Sequence, residues 1–282
     1  LTFTLNRSAV TGEIRFQSRD NLNRRVRLRI TFLGSGTSTG VPSIGCDCEV
    51  CASDDPKDKR LRSSLMVTTD EGKNIIIDTG PDFRAQCLRE KILAVDSVLY
   101  THAHMDHLAG LDDLRRYNAL TKQAINIHST KETLDIIKTS FSYAVNDAYV
   151  SAAIPALIPT EIEFFKPFET AGVTITPLPL NHGEETVAGY LFDDFLYATD
   201  CSSIPDETME QIKGIKTLVL GALRNRPHPK HLSFSEACET AEEIGAEQTY
   251  FTHLGHSCFH AKQDDVLSEN IQFGYDGLVV EL

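Results

Sequence analysis

The clearest signal along the chain is a set of short apolar stretches that stop on glycine, aspartate or histidine. VRLRITFLGSG (26–36) alternates apolar and polar positions and breaks on glycine, which predicts a strand running into a turn. LMVTTDEGKNIIIDTGP (65–81) predicts a hairpin with DEGKN as its turn and IIID as a buried strand ending at Asp78. SVLYTHAHMDH (97–107) predicts another buried strand that feeds a histidine-rich loop, and LAGLDDLRRYNAL (108–120) has helical spacing. Residues 131–150 also read as helix and lead into a proline-rich stretch. Residues 165–183 and 186–200 are rich in strand formers. A helix at 206–214, a buried strand at 217–223, a helix at 233–246 and a strand at 248–256 complete the pattern. Strands first, then strand and helix in alternation, predict a layered α/β architecture with two sheets or one folded sheet. No repeat, low-complexity segment or interdomain linker interrupts it.

Composition adds bounds. The chain has 282 residues, 41% hydrophobic and 24% charged, enough to bury a full core. No apolar run is long enough for a transmembrane helix. The formal net charge of −13 weighs against an extended nucleic-acid surface, but not against a small anionic substrate held by metal ions. Charge is uneven, with seven arginines among the first 29 residues against Glu13 and Asp20. A transit peptide has such a composition, as does a disordered or non-native extension, and no apolar core of a secretory signal is present. We therefore expect residues 1–26 to be an Arg-rich extension, disordered or non-native, and residues 27–282 to form the folded domain. Seven cysteines, three of them within six residues, point to a reducing, cytoplasmic setting and metal binding rather than a disulfide framework. Oligomeric state has no signature.

The candidate chemistry sits at predicted strand ends. His102, His104, Asp106 and His107 follow His-x-His-x-Asp-His, a density of imidazole and carboxylate suited to Zn²⁺, Mn²⁺ or Fe²⁺. Alternate residues of such a loop can serve two different ions. Further ligands are available at His182 (LNHG), Asp200 (LYATD) and His253 (FTHLGH), each after an apolar strand. The two oxygens of Asp200 make it the natural bridge. A second cluster, GCDCEVC, places Cys46, Cys48 and Cys51 as three of the four ligands of a closed tetrahedral zinc site. His256 is the candidate fourth ligand, with His260 and Cys258 as competitors. PHPKHLSFSEA offers two further candidate histidines before a predicted helix, His228 and His231. LGSGTSTGVP lacks the spacing of a phosphate-binding loop, and Ser38 and Thr39 carry at most a lining role.

THAHMDH, LNHG, LYATD and FTHLGH together resemble the metallo-β-lactamase-fold hydrolases over residues 28–282, and GCDCEVC resembles the PhnP-like phosphodiesterase branch. The resemblance implies a four-layer αββα sandwich with a two-metal site along one edge of its sheets. It implies that His102, His104 and His182 hold one catalytic divalent ion (Zn or Mn), that Asp106, His107 and His253 hold the other, and that Asp200 bridges them. Asp78 would steady the metal-binding loop, and Cys46, Cys48, Cys51 and His256 would hold a structural zinc. His231 rather than His228 would match the family's active-site histidine, hydrogen-bonding a phosphate oxygen or protonating a leaving alkoxide.

The function expected is hydrolysis of a small phosphodiester, cyclic ones included, by a metal-bridging hydroxide. Four other readings compete with it. A tRNA 3′-processing endonuclease shares THAHMDH, but it usually adds a basic, Gly-rich clamping arm that is not seen here. A thioester hydrolase of the glyoxalase II type does not account for the cysteine cluster. β-Lactam hydrolysis is disfavoured by the Asp106, His107 and Asp200 set, although Cys201 adjoins it. A non-catalytic metal-binding module would need the open site to be inert. The Arg-rich start and the last segment, from Ser257, depart from the PhnP-like pattern.

Overall fold

The computed structural model describes residues 27–145, 153–265 and 267–282. The extension expected at 1–26 lies outside the described residues. The first part of the chain builds strands β1 (Leu28–Gly34), β2 (Ser64–Thr69), β3 (Asn74–Ile77), β4 (Ser97–Leu99), β5 (Ile125–Ser129) and β6 (Leu157–Glu161). Helices α1 (Phe83–Arg89), α2 (Met105–Leu108), α3 (Arg115–Thr121) and α4 (Lys131–Ser140) lie between them. The second part supplies β7 (Phe168–Thr170), β8 (Val173–His182), β9 (Glu185–Phe192), β10 (Phe195–Ala198), α5 (Asp206–Ile212), β11 (Thr217–Gly221), α6 (Phe234–Ile244), β12 (Gln248–Thr252), β13 (Ile271–Phe273) and β14 (Val279–Glu281).

The strands form two seven-stranded sheets, ordered β14-β1-β2-β3-β4-β5-β6 and β13-β12-β11-β10-β9-β8-β7. Successive side chains of a strand face opposite ways, and this alternation sorts the apolar residues into layers. Leu65, Val67, Ile75, Ile77 and Leu99 of the first sheet meet Ala188, Tyr190, Phe195, Tyr197 and Val219 of the second in one buried cluster between the sheets. Met66, Ile76 and Val98, on the opposite faces, pack with Phe83, Tyr117, Leu134 and Ile137 of α1, α3 and α4. Leu196, Leu218 and Leu220 pack outward against Met209 and Ile212 of α5 and Ala237, Ala241 and Ile244 of α6. The result is the expected αββα sandwich. Strands covered on both faces explain why IIID and TLVLGAL are apolar without alternation.

Two predicted helices differ from those observed. The helix expected over 108–120 is instead α2, a 3₁₀ turn at Leu111–Leu114 and α3. Gly110 diverts the chain here: its amide donates to the Thr79 carbonyl at 2.8 Å, and a Cβ on it would stand 2.1 Å from the Gly80 carbonyl oxygen. The helix expected over 131–150 ends at Ser140, because Phe141 leaves helical geometry (φ −126°, ψ 44°) and the chain turns through 141–145. Residues 146–150 of that prediction lie outside the described residues. α6 begins on a reciprocal cap, with Ser233 Oγ accepting from the Glu236 amide and the Glu236 carboxylate accepting from the Ser233 amide. Among the described residues no helix is long and apolar enough to cross a membrane.

Candidate metal centre

Parallel pairing brings the ends of several strands to one edge. β3 and β4 pair with Ile77 opposite Leu99, so Asp78 and the segment from Tyr100 emerge side by side. β10, β11 and β12 are also parallel, with Ala198 opposite Leu220 and Gly221 opposite Thr252, which delivers Asp200 and His253 to the same edge. Asp78, Asp200 and His253 all leave their strands with positive φ (64°, 52° and 56°). Non-glycine residues adopt that conformation at a cost, and such costs concentrate at functional sites.

The donor atoms fall into two neighbouring groups. One ligand atom each from His102, His104 and His182 lies within 4.8 Å of the others, as does one each from Asp106, His107, Asp200 and His253. Asp200 faces both groups: its Oδ1 is 3.4 Å from His107 Nε2, and its Oδ2 is 3.3 Å from His253 Nε2 and 3.9 Å from His102 Nε2. His231 stacks on His253 with ring centroids 4.7 Å apart and sets its Nδ1 4.0 Å from Asp200 Oδ2. His228 lies one step out, 5.0 Å from the His231 ring, and its Nδ1 accepts from the Lys230 amide.

Outer contacts fix which nitrogen each ring presents. Asp78 is fully buried and its Oδ2 is 2.7 Å from His107 Nδ1, while its two oxygens also accept from the amide and hydroxyl of Thr101, both at 2.8 Å. His182 Nδ1 donates to the Lys230 carbonyl at 2.8 Å. These bonds leave Nε2 of His107 and His182 directed at the cluster, the arrangement by which carboxylates and carbonyls orient metal-binding imidazoles. Among the described residues, His102 Nε2, His107 Nε2 and both His253 ring nitrogens are buried without a hydrogen-bond partner. Buried polar atoms are rarely left so. Several orphaned imidazole nitrogens converging beside two carboxylates fit divalent metal ions.

Burial and neighbouring charge act differently across the cluster. Burial pushes His102 well below the ordinary imidazole range and lowers His182, so both are neutral donors. Burial also pushes His231 down to about 3. At His107 burial acts in the same direction, but the Asp200 and Asp78 carboxylates outweigh it and hold the ring well above its usual value. Burial would raise Asp200, yet His253 and His107 hold it well below the carboxylate range, so it stays ionised.

The second cluster is a separate pocket of soft donors. His256 Nδ1 is 3.2, 3.4 and 3.7 Å from the sulfurs of Cys46, Cys48 and Cys51. Of the three contenders for the fourth position, His256 is the one placed there. The amide of His260 donates to Asp58, and its ring packs against Tyr275, while Cys258 is buried among residues of the second sheet's outer layer. The backbone amide of Cys51 pulls the Cys48 thiol down to about 6, and burial pushes Cys51 up to about 11. Cys201 joins neither group among the described residues; burial pushes its thiol up to about 12. Thr39 turns its hydroxyl to the Gly40 carbonyl and Ser43.

Sequence reasoning passed over Thr101, Glu185 and Lys230. Thr101 opens THAHMDH and Lys230 lies inside PHPKH, so both were in view, but their bonds to Asp78 and His182 become visible only in three dimensions. Glu185 had no signal beyond its place near LNHG. Its carboxylate joins Lys230 Nζ at 2.7 Å to His104 Nε2 at 3.4 Å.

A family model described as a beta-lactamase superfamily domain matches residues 73–254. A crystal structure of a new diphosphatase from the PhnP family is similar with a TM-score of 0.84 at 41% identity, covering 91% of this chain and 97% of that one. Zn²⁺-bound PqqB from Methylobacterium extorquens shares the fold, with a TM-score of 0.74 at 19% identity over 90% of this chain and 100% of that one. An octanoyltransferase of Porphyromonas gingivalis is 38% identical over 253 residues, 89% of this chain but 51% of that protein. The chain thus spans about half the length of that relative.

Proposed function

The chain belongs to the β-lactamase superfamily and to its PhnP-like branch, and from that footing we propose that it is a two-metal phosphodiesterase acting on a small anionic substrate, cyclic diesters included. The observation that carries this reading is Asp200, one fully buried carboxylate facing two groups of neutral and charged donors. His102, His104 and His182 would hold one divalent ion, zinc or manganese, and Asp106, His107 and His253 the other, with Asp200 shared. When bound, such a pair supplies Lewis acidity toward a phosphoryl oxygen and a water acidified to a pKa of about 7. Cys46, Cys48, Cys51 and His256 would hold a structural zinc away from the reaction.

The chain's own groups supply positioning. Asp78 and Thr101 lock the histidine loop. His231, held between the His253 face and the His182 edge, can donate a hydrogen bond to a non-bridging phosphate oxygen, where charge builds as the nucleophile arrives. With its pKa pushed down by burial, that donor role suits it better in the free protein than the role of an already charged acid.

A second reading narrows the substrate to a diphosphate bridge, and the 41% identical neighbour described as a diphosphatase favours it. The octanoyltransferase name weighs less, because it describes a protein of which the chain matches about half.

Purified protein loaded with Zn²⁺ or Mn²⁺ should hydrolyse bis(p-nitrophenyl) phosphate. Asp200→Ala should lose at least about a hundredfold in kcat while keeping its circular dichroism, in line with the loss of a preorganised charge at the reacting centre. Metal-loaded protein without turnover of any phosphodiester, or full activity in Asp200→Ala, would overturn the proposal.

A further inference from the structure

Beside the donor cluster, residues 224–231 (RNRPHPKH) carry a local excess of cations in a protein of net charge −13. The segment is braced from within. Arg224 spends its guanidinium on its own loop, donating to the carbonyls of Arg226 at 3.1 Å and Pro227 at 2.9 Å. Lys230 is fixed at three points: its amide donates to His228 Nδ1, its carbonyl accepts from His182 Nδ1, and its stem lies over Gly183. That last contact explains a glycine. Gly183 has φ +67°, and a Cβ there would meet Lys230 Cγ at 3.0 Å.

Among the described residues the ammonium so placed has one counter-charge, Glu185, at 2.7 Å. The same carboxylate puts its other oxygen 3.4 Å from His104 Nε2, one of the candidate ligand atoms. Glu185 is half exposed, and an ion pair of that kind is weak and readily exchanged. One carboxylate therefore bridges the edge of the donor cluster and the lysine, in the position an incoming anion would need. A substrate with a second phosphoryl group joined to the first carries an anion that could take this carboxylate's place on Lys230.

We propose that Lys230 is a specificity-determining residue that binds a second phosphoryl group of the substrate, and that Glu185 is the resident carboxylate which that group displaces. The inference rests on the hydrolase reading and narrows it to substrates with a phosphate next to the one attacked. Lys230 is a positioning residue: it orients the substrate, and the P–O bond is broken by water at the neighbouring phosphorus, giving two phosphate monoesters. Glu185 acts as a filter, since a ligand with a single charge has less to offer in exchange for it.

The test uses the full-length, metal-loaded protein and two substrates: bis(p-nitrophenyl) phosphate, with one phosphate, and diadenosine diphosphate, with two. Lys230→Met keeps the backbone bonds and the stem over Gly183 and removes only the charge. It should lower the ratio of kcat/KM for the diphosphate over the monophosphate by about tenfold, the usual effect of losing a charge-assisted hydrogen bond, mainly through KM. Lys230→Arg should restore most of it, and Glu185→Gln should lower KM for the diphosphate. Calorimetric binding of the methylene-bridged analogue of diadenosine diphosphate should weaken by a similar factor in Lys230→Met. A ratio and an analogue affinity both unchanged in Lys230→Met would overturn the proposal while leaving the hydrolase reading in place. Lys230-dependent binding of the analogue with no turnover of either substrate would support the lysine's role and overturn the hydrolase reading instead.

Discussion

Asp78 shows how much a single buried carboxylate can organise. Its bonds to the Thr101 amide and hydroxyl and to His107 Nδ1 replace the water it lost, although burial outweighs them and pushes its carboxyl above the ordinary value. Asp78→Asn keeps the shape but removes the charge that favours a proton on His107 Nδ1 and leaves Nε2 free. Metal affinity should fall by about 10- to 100-fold, read by chelator competition, with the fold retained; unchanged affinity would mean that Asp78 is only a turn residue. His128 poses a different residue-scale question. It is buried against Phe168 with neither ring nitrogen bonded, and burial pushes its pKa down to about 4. Between its ordinary pKa near 6.5 and that value, the unfolded chain takes up a proton that the folded protein refuses. Stability therefore falls as pH drops through this window, and the effect is absent above it. His128→Phe should lose about 2 kcal/mol less than the wild type between pH 7 and pH 5 in urea unfolding; identical losses would remove His128 as the cause. Residues of this second kind were not legible in the sequence. THAHMDH announces itself by density, whereas His128, Glu185 and Lys230 matter through neighbours supplied by distant strands.

At the scale of elements, legibility followed length and pattern. β3, β11 and β12 were readable as apolar runs closed by Asp78, by glycine and by His253, and α6 by its amphipathic spacing behind Ser233. β13 and β14 have three residues each, too short for an alternation to register, and β5 carries polar Asn126 and His128 within five residues. The break between α2 and α3 was hidden for a different reason. Its cause is the close approach of two backbones, with a Cβ on Gly80 falling 2.0 Å from the Asp106 carbonyl oxygen and one on Gly110 falling 2.1 Å from Gly80. Helical spacing in LAGLDDLRRYNAL says nothing about either contact. Gly80→Ala must push the Asp106 backbone away, and with it the loop that carries His104 and His107. Displacements of about 1 Å at such a site cost about a hundredfold in rate. We expect that loss, with metal content reduced and helix content by circular dichroism retained. Wild-type metal loading and activity in Gly80→Ala would show that the loop absorbs the change.

For the whole molecule, the two seven-stranded sheets must be held together at the edge where the donors converge, and the connection there is made largely by irregular chain. The Thr37 amide donates to the Leu254 carbonyl at 3.1 Å, and the Leu254 amide donates to the Ser35 carbonyl at 2.8 Å, joining the continuation of β1 to that of β12 directly after His253. Asp276, half-buried with its side chain 7% exposed, accepts from the amides of Ser35 and Leu61 and pairs with Arg89. The buried Asp58–Arg60 pair sits below, with Asp58 also accepting from the His260 amide. The Cys46, Cys48, Cys51 and His256 cluster closes the same seam from outside, tying a loop after β1 to a residue three positions beyond His253. CxCxxC was legible as one half of this clamp, but its partner lies more than 200 positions away with two rivals close by, and only the fold separates them. A metal ion there would join the two sheets and steady His253 through the short link to His256. The thiols must lose protons to bind it, Cys51 from a pKa pushed up to about 11, so loading should weaken in acid. Cys51→Ala should therefore release one equivalent of metal by elemental analysis and lower the thermal midpoint by several degrees or more, since structural zinc contributes directly to folding free energy. Because the donor set around Asp200 does not include the cysteines, the variant should keep its remaining metal and, if the proposed activity holds, part of that activity at temperatures below its midpoint. An unchanged metal content in Cys51→Ala would refute the clamp. Loss of all metal with the fold retained would instead mean that the two-ion site does not form without it.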